Sequence, residues 1–484
     1  MPKAVLKSTN QQPAFHPSEQ SLHENPNYNL NPLDLLTDVG NAARFVGRAG
    51  NNYRYCAEFG KWLFWNGTNW ANDEGSLRAL KTAKKVALSI FDEAKKKEDP
   101  EKQPDLAKWA VRSQNIHRLS AMLDLSRPEL SVSTAELDSD DWLLNVNNGT
   151  IDLRTGEARE HRREDLITKL TPIVFDPSAT YPLWEQFLFE IMGGNRDLID
   201  FLQRLTGFCL TGDIREQYLF ILHGEGANGK SVFLDTLTGL LGVYASQAPP
   251  DLLIKQRHKQ HPTEVADLFG RRLVVAGETE EGGRLRVQLV KRLTGDAFLK
   301  GRYMRRDFFE FRRTHKLILV TNNVPVISEA TNAVWRRVVL VPFNVVIPPE
   351  KQDKKLLDKL RGEWSGILQW LVQGCLAWQR QGLNPPEEVL TATEDYRREQ
   401  DPLAEFLAER CKFNLNAFVS RQRMFEAYLN YANEINERFP MSRISLFKRL
   451  RGISEIYEGK RLINGVLRRG FNGLGLADES HEAL

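Results

Sequence analysis

The chain is 484 residues long, 41% hydrophobic and 27% charged, with a formal net charge of +3. That length suits two to four globular domains, and no apolar run approaches the roughly 20 residues that a membrane-crossing helix needs. Four scattered cysteines, Cys56, Cys209, Cys375 and Cys411, form no CxxC pair, which argues against a zinc ribbon or a disulfide framework and fits a reduced, cytoplasmic setting.

Residues 1–32 are polar and without periodicity, so a disordered arm is expected there, and the first residues lack the apolar stretch of a secretory signal. An N-terminal α+β domain is expected over 33–180. Tyr53–Cys56 and Lys61–Trp65 read as short strands, and Asn66-Gly67 before Trp70 reads as a hairpin turn. Residues 76–125 read as helices with a charged break at Lys95–Pro104, and Asn145–Thr155 as strand and turn.

The next segment, 181–348, carries the chemistry. Helices over 183–211 lead into the apolar strand Tyr218–Leu222. Then come Gly224-Glu225-Gly226-Ala227-Asn228-Gly229-Lys230-Ser231 and the helical run Val232–Leu237. Strand, glycine loop and helix is the context in which G-x-x-x-x-G-K-[ST] cradles phosphates. The glycines let backbone N–H groups wrap the phosphates, and the helix N-terminus adds positive potential. Lys230 is expected on the β/γ-phosphates of ATP, and Ser231 on Mg²⁺.

A second apolar strand, Arg271–Gly277, ends at Glu278, the expected acid for polarising water or supporting Mg²⁺, with Glu280 and Glu281 close behind. A third, Lys316–Thr321, ends at Asn322, an amide suited to the γ-phosphate or the attacking water; the plainer alternative is a turn before Pro325. Arg336 and Arg337 precede the strand Val338–Phe343, where an arginine is poised to point outward as a finger acting on a neighbouring subunit; the alternative is a surface salt bridge. Residues 300–316 hold seven Lys/Arg against two acids, with Lys300, Arg302, Arg305, Arg306, Arg312 and Arg313 interleaved with Phe308, Phe309 and Phe311. Such a hairpin suits a nucleic-acid backbone, with the phenylalanines expected in the core and the arginines near the turn on DNA.

A helical extension is expected over 349–411, a basic module over 412–472 and a loose tail over 473–484. Residues 417–472 hold eleven Lys/Arg against five acids.

These motifs, in this order, resemble the superfamily 3 helicases, specifically the phage and plasmid primase–helicase group related to the poxvirus-type enzyme. The likeness rests on Gly224–Ser231, Ala276-Gly277-Glu278, Lys291–Asp296, Thr321-Asn322-Asn323-Val324-Pro325 and Trp335-Arg336-Arg337. It extends to Asn145–Gly156, Leu205–Gly212, Glu363–Trp370 and the run from Tyr396-Arg397 to Pro402-Leu403.

The resemblance implies an α/β fold with an AAA+-like P-loop NTPase core, and a hexameric ring that travels on single-stranded DNA, usually 3′ to 5′. It puts Arg305 and Arg306 on a pore hairpin and favours Arg337 over Arg336 as the finger. It makes the C-terminal module winged-helix-like, holding duplex origin DNA through Ile444–Arg451, which includes Lys448 and Arg449, and through Lys460-Arg461 to Arg468-Arg469. A phage or mobile element in a bacterial cytoplasm is the implied setting. Two departures stand out. Gly277 occupies the place of the first of two acids found in many members, which leaves Ser231 the surest Mg²⁺ ligand. No paired-acid primase site is evident, so a primase partner is expected to be a separate chain. The competing readings are a DNA-stimulated ATPase that binds an origin or loads a partner without processive unwinding, and an ATP-dependent scaffold. The hydrolytic set Lys230, Glu278, Asn322 and Arg337 argues against the scaffold.

Overall fold

The computed structural model describes residues 35–249, 252–255, 263–277, 282–305, 307–327, 332–435, 440–463 and 465–477. The arm expected over 1–32, the acids Glu278, Glu280 and Glu281, and Arg306 lie outside the described residues. The chain forms two compact units.

The first unit comprises 35–66 and 71–133. Helix α1 (Asp38–Ala49) starts at Thr37, whose hydroxyl accepts the Gly40 N–H at 3.2 Å, a side-chain cap for an otherwise open helix end. Strands β1 (Tyr53–Cys56), β2 (Lys61–Trp65) and β3 (Trp70–Asp73) form a three-stranded sheet in that order. Helices α2 (Leu77–Lys96), α3 (Gln103–Ser113) and α4 (Ile116–Ser126) follow, with the break between α2 and α3 where the charged run predicts it. Phe45, Trp62, Ala83 and Met122 meet in this unit's core.

The second unit comprises 67–70 and the chain from 134 on. It opens with the antiparallel meander β4 (Leu143–Val146), β5 (Gly149–Asp152) and β6 (Glu157–Arg159). Residues 134–180, expected with the N-terminal domain, therefore belong here. Burial is the reason: Leu144, Val146, Ile151 and Phe175 share one apolar core with Phe201, Phe220 and Phe233.

Helices α5 (Pro182–Ile191) and α6 (Arg196–Phe208) lead to β7 (Leu219–His223) and α7 (Lys230–Leu241). Then come β8 (Ala245–Ala248), α8 (Thr263–Ala266), β9 (Leu273–Ala276), α9 (Val287–Gly295), β10 (Phe298–Gly301), β11 (Phe309–Arg312), β12 (Lys316–Thr321), α10 (Asn332–Trp335) and β13 (Val338–Pro342). Five of these strands make a parallel sheet in the order β13-β7-β12-β9-β8. β7, β9, β12 and β13 carry near-continuous apolar runs, as strands covered on both faces do, whereas the edge strand β8 is Ala-Ser-Gln-Ala and only partly buried. Apolar clusters lie on the two sides, one built around Phe220, Phe233 and Trp370, the other around Leu219, Val274 and Leu317.

Four helices follow: α11 (Leu356–Arg361), α12 (Trp364–Gln381), α13 (Glu387–Glu399) and α14 (Pro402–Arg410). The chain then forms β14 (Cys411–Ser420), α15 (Arg421–Glu434), α16 (Arg443–Leu450), β15 (Tyr457–Ile463) and β16 (Val466–Leu476), with an antiparallel sheet in the order β14-β16-β15. This module is wider than the 412–472 expected. Leu403 and Phe406 of α14 pack into its core with Tyr428, Leu446 and Phe471, and β16 runs on through Leu476 into the segment read as a loose tail.

Candidate nucleotide and DNA site

The parallel register aligns three strand ends. His223 of β7 lies opposite Thr321 of β12 and Pro342 of β13. The loop 224–229 therefore leaves the sheet between two strands from later in the chain, a crevice position at the carboxyl edge where open α/β sheets take ligands. Two glycines are dictated by space. A Cβ on Gly224 would sit 2.3 Å from the Phe343 carbonyl oxygen, and one on Gly229 would sit 2.4 Å from Ile191 Cγ2. Gly229 also needs φ +83°, a region that favours glycine. Ala227 is left-handed as well, at φ +46°, with its carbonyl held by the Ile347 N–H at 2.7 Å.

Lys230 opens α7 and its side chain turns back under the loop, only 4% exposed. Its ammonium donates to the Gly224 carbonyl (2.6 Å), to Asn228 Oδ1 (3.1 Å) and to Asn322 Oδ1 (3.0 Å). Asn228 is fixed in turn by donating to the Phe343 carbonyl at 3.2 Å. Lys230 and Asn322, 92 positions apart, are thus brought into direct contact. Ser231 and Glu225 are exposed at the loop and first helical turn. His223 is pushed below its ordinary pKa by burial, and the Lys230 charge acts in the same direction.

Arg337 differs from its expected pose. It stands just before β13, at the end of the strand opposite Pro342 and so about 15 Å along the strand from the loop. It is 9% exposed rather than outward-pointing. Its guanidinium donates to the Ala333 carbonyl at 2.7 Å and to Gln217 Oε1 at 3.3 Å, so local carbonyl and amide oxygens draw it inward. Arg336 is the exposed member of the pair.

The cationic segment is an antiparallel hairpin, β10 with β11, pairing Lys300 opposite Glu310. Phe311 is core and Phe309 half-buried, as expected. Phe308 is not: it is exposed, with the Arg302 guanidinium 4.8 Å and the Lys300 ammonium 5.6 Å from its ring centre. Arg305 is exposed at the tip at φ +58°. Arg313 leaves the DNA-facing set. It is buried, donates to the Asp296 carbonyl at 2.8 Å, and burial pushes its pKa down to about 10. Arg312 is ion-paired with Asp141.

On α16, Lys448 is exposed as expected. Arg449 is not available for DNA. Its guanidinium grips both carboxylate oxygens of Asp401 at 2.6 Å, and Asp401 also caps α14 by accepting the Ala404 N–H at 3.1 Å.

Comparison with known proteins bears on this arrangement. The family model described as D5 N terminal like matches residues 42–193, and a family of unknown function, DUF5906, matches 222–337. A protein of Acanthamoeba polyphaga mimivirus, provisionally named helicase L207/L206, is 25% identical over 296 residues, 56% of this chain and 31% of that protein. Primase D5 of fowlpox virus is 27% identical over 154 residues, 31% of this chain and 19% of that protein. These matches support the resemblance to the superfamily 3 primase–helicase family of poxvirus type. It spans about a third or less of the length of the family members it matches. A solved structure, the apo NrS-1 C terminal region, aligns over 68% of this chain and 92% of that one at 12% identity with a TM-score of 0.41. No described helix is long and apolar enough to cross a membrane.

Sequence reasoning missed one set of residues around the candidate site. Tyr396 on α13 donates to the Pro325 carbonyl, and Gln400 Oε1 accepts the Ile327 N–H at 2.9 Å. They hold the segment that leaves Asn322. Tyr396 lies within a run that carries the family resemblance, but a lone tyrosine in a helix signals no partner 71 positions away.

Proposed function

We propose that this chain is an ATP-dependent DNA helicase motor, a P-loop NTPase of AAA+-like type that works as a ring, most simply a hexamer, on single-stranded DNA. The observation that carries the reading is the Lys230–Asn322 contact beneath a glycine loop at the carboxyl edge of a parallel sheet. The loop fits a triphosphate. Its backbone is bare where Gly224 and Gly229 exclude a Cβ, and a buried ammonium lies beneath it, donating to oxygens of Gly224, Asn228 and Asn322. A bound Mg²⁺–triphosphate supplies a polarised γ-phosphoryl group, and Ser231, exposed in the first turn of α7, would hold the ion with support from Glu278. Lys230 exchanges its carbonyl partners for phosphate oxygens. Asn322 then orients the water or the γ-phosphate, and Glu278 takes the water's proton. An arginine finger acts in trans, since the start of β13, where both arginines stand, is too far from its own loop; Arg336 is the exposed candidate and Arg337 the buried one.

Arg305 and Arg306 contact the DNA strand from the hairpin, assisted by Lys300 and Arg302. The helix–strand–helix–helix–hairpin order from α14 to β16 is read as a winged helix that holds duplex DNA, with Lys448 on its α16 face. A primase partner, if one acts, is a separate activity.

The deciding experiment is ATP hydrolysis with and without single-stranded DNA, for the wild type and Glu278→Gln, with mass measured on the same samples. DNA-stimulated turnover by a multi-subunit species, lost in the variant while nucleotide still binds, supports the motor. Unstimulated turnover by a monomer, with tight duplex binding, favours the origin-binding ATPase instead.

A further inference from the structure

The β15–β16 hairpin has an unusual surface. Its register sets Lys460 opposite Arg469 and Arg461 opposite Arg468. Like charges directly opposite one another destabilise an antiparallel pair, so two successive cationic pairs are a cost to the isolated fold. Beyond them toward the turn come Leu462 opposite Leu467 and Ile463 opposite Val466. Leu462, Leu467 and Val466 are 66%, 61% and 56% exposed. Side chains alternate between the faces of a strand. One face of the ribbon therefore carries Lys460, Arg469, Leu462 and Leu467, and the other carries Arg461, Arg468, Ile463 and Val466. Each face has a cation pair at its base and an aliphatic pair near its tip. Arg461 is partly committed, donating to the Asn416 carbonyl at 3.1 Å and lying 5.3 Å from the Phe418 ring centre.

We propose that this hairpin is a wedge that enters duplex DNA, with its cations on the phosphates and the aliphatic tip against the base stack. The inference rests on the reading that the C-terminal module holds duplex DNA, and it adds what the ribbon does there. Charge complementarity names the occupant. Cations on both faces suit a cleft walled by phosphates on two sides, and a DNA groove is such a cleft. A membrane surface or an acidic helix would meet one face only. An apolar tip between flanking cations is the chemistry by which groove-binding proteins unstack a base step. For a motor that must begin from paired strands, such unstacking would open the duplex before ATP is spent.

The test uses the full chain and a duplex carrying a fluorescent adenine analogue whose emission rises on unstacking. Binding is followed by anisotropy over a salt series without nucleotide, and single-stranded-DNA-stimulated ATP turnover is measured in parallel. The wild type should bind and raise the emission. Leu462→Ser/Leu467→Ser should bind with the same salt slope and lose the rise. Lys460→Ala/Arg469→Ala should lower the salt slope by about 1 to 2, the loss of one or two phosphate contacts. Both pairs are exposed and remote from the core, so folding should survive. The proposal falls if the wild type binds duplex without a rise, if the tip variant keeps the rise, or if the chain ignores duplex and binds anionic vesicles instead. Turnover reports on the motor separately: a failed motor with the rise intact leaves the wedge standing, and a working motor without the rise removes only the wedge.

Discussion

Asn322 offers the sharpest test of the nucleotide site, because two substitutions at one position should act in opposite senses on binding. Its Oδ1 accepts a hydrogen bond from the buried Lys230 ammonium at 3.0 Å. A bond to a charged donor contributes about 1.5–3 kcal/mol. Asn322→Ala removes it and leaves Lys230 its two loop partners, so the amine is freer to meet phosphate. Nucleotide affinity should stay level or tighten by up to about tenfold, which is about 1.4 kcal/mol. Hydrolysis should nevertheless fall by about 10²–10³, the usual loss when one oriented polar group at a reacting centre is removed. Asn322→Asp places a carboxylate at the same point. The ion pair it forms is worth a few kcal/mol at an effective dielectric of about 20, and the new charge also repels the γ-phosphate. Affinity should then fall by at least about 100-fold, or about 2.8 kcal/mol. Titration of a fluorescent ATP analogue and single-turnover hydrolysis read the two effects. If the aspartate variant binds like wild type, or the alanine variant loses binding, Lys230 does not exchange Asn322 for phosphate and the site has been misread.

Arg336→Ala should abolish stimulated turnover without changing stability, and mixing with Lys230→Ala subunits should restore activity if the finger acts in trans; Arg337→Ala should lower stability by about 1–3 kcal/mol, because its buried oxygen partners lose their donor, and urea unfolding reads the loss. Arg305→Ala should weaken single-stranded DNA binding and lower the salt slope by about 0.7 per lost phosphate contact, with basal ATP turnover intact. Tyr396→Phe leaves the Pro325 carbonyl without its hydroxyl donor, and hydrolysis should fall more than nucleotide affinity as Asn322 loses its backing; equal losses in both would refute a positioning role. His315 is fully buried beside Arg313 and Lys316, which pushes its pKa down to about 3 from the usual value near 6.5. The unfolded chain then binds the extra proton as pH falls below about 6.5, so stability should drop by up to about 1.4 kcal/mol per pH unit between there and pH 3, and urea midpoints should show His315→Gln lacking this contribution.

Four strands of the parallel sheet were legible because they are short apolar runs bounded by turn residues, while the polar edge strand β8 was not; the loop was legible because glycine and lysine spacing there reports backbone geometry directly. Asn322 could be placed near the loop since it ends the strand next to β7. What the sequence hid were matters of orientation and of long-range partners. Arg336 and Arg337 look interchangeable in a string; only the strand's pleat and the oxygens of Ala333 and Gln217 decide that Arg337 turns inward. Arg449 looks like one more cation in a basic helix until Asp401, 48 positions away, claims it. Arg313 likewise reads as surface, although carbonyls close around it. Charge counts predict an electropositive surface well, but they cannot say which guanidinium satisfies a backbone oxygen. The packing of β4–β6 was hidden for a related reason: their apolar side chains share a core with α5 and α6, partners that follow well along the chain.

Taken together, the contacts outside the loop explain how a nucleotide site and a DNA module can share one chain segment. Asn322 touches Lys230, and the backbone that follows it is held by Tyr396 and Gln400. The next residue, Asp401, caps α14 and grips Arg449 of α16. Each link is a hydrogen bond or ion pair between neighbours, and the segment 396–401 is common to both halves. This short stretch of α13 and its exit is a contiguous path between the two regions. It also gives Asp401 and Arg449 a reason to be spent on each other. A guanidinium left free for DNA would add one phosphate contact, whereas one anchored to Asp401 ties the orientation of α16 to the strand end that carries Asn322.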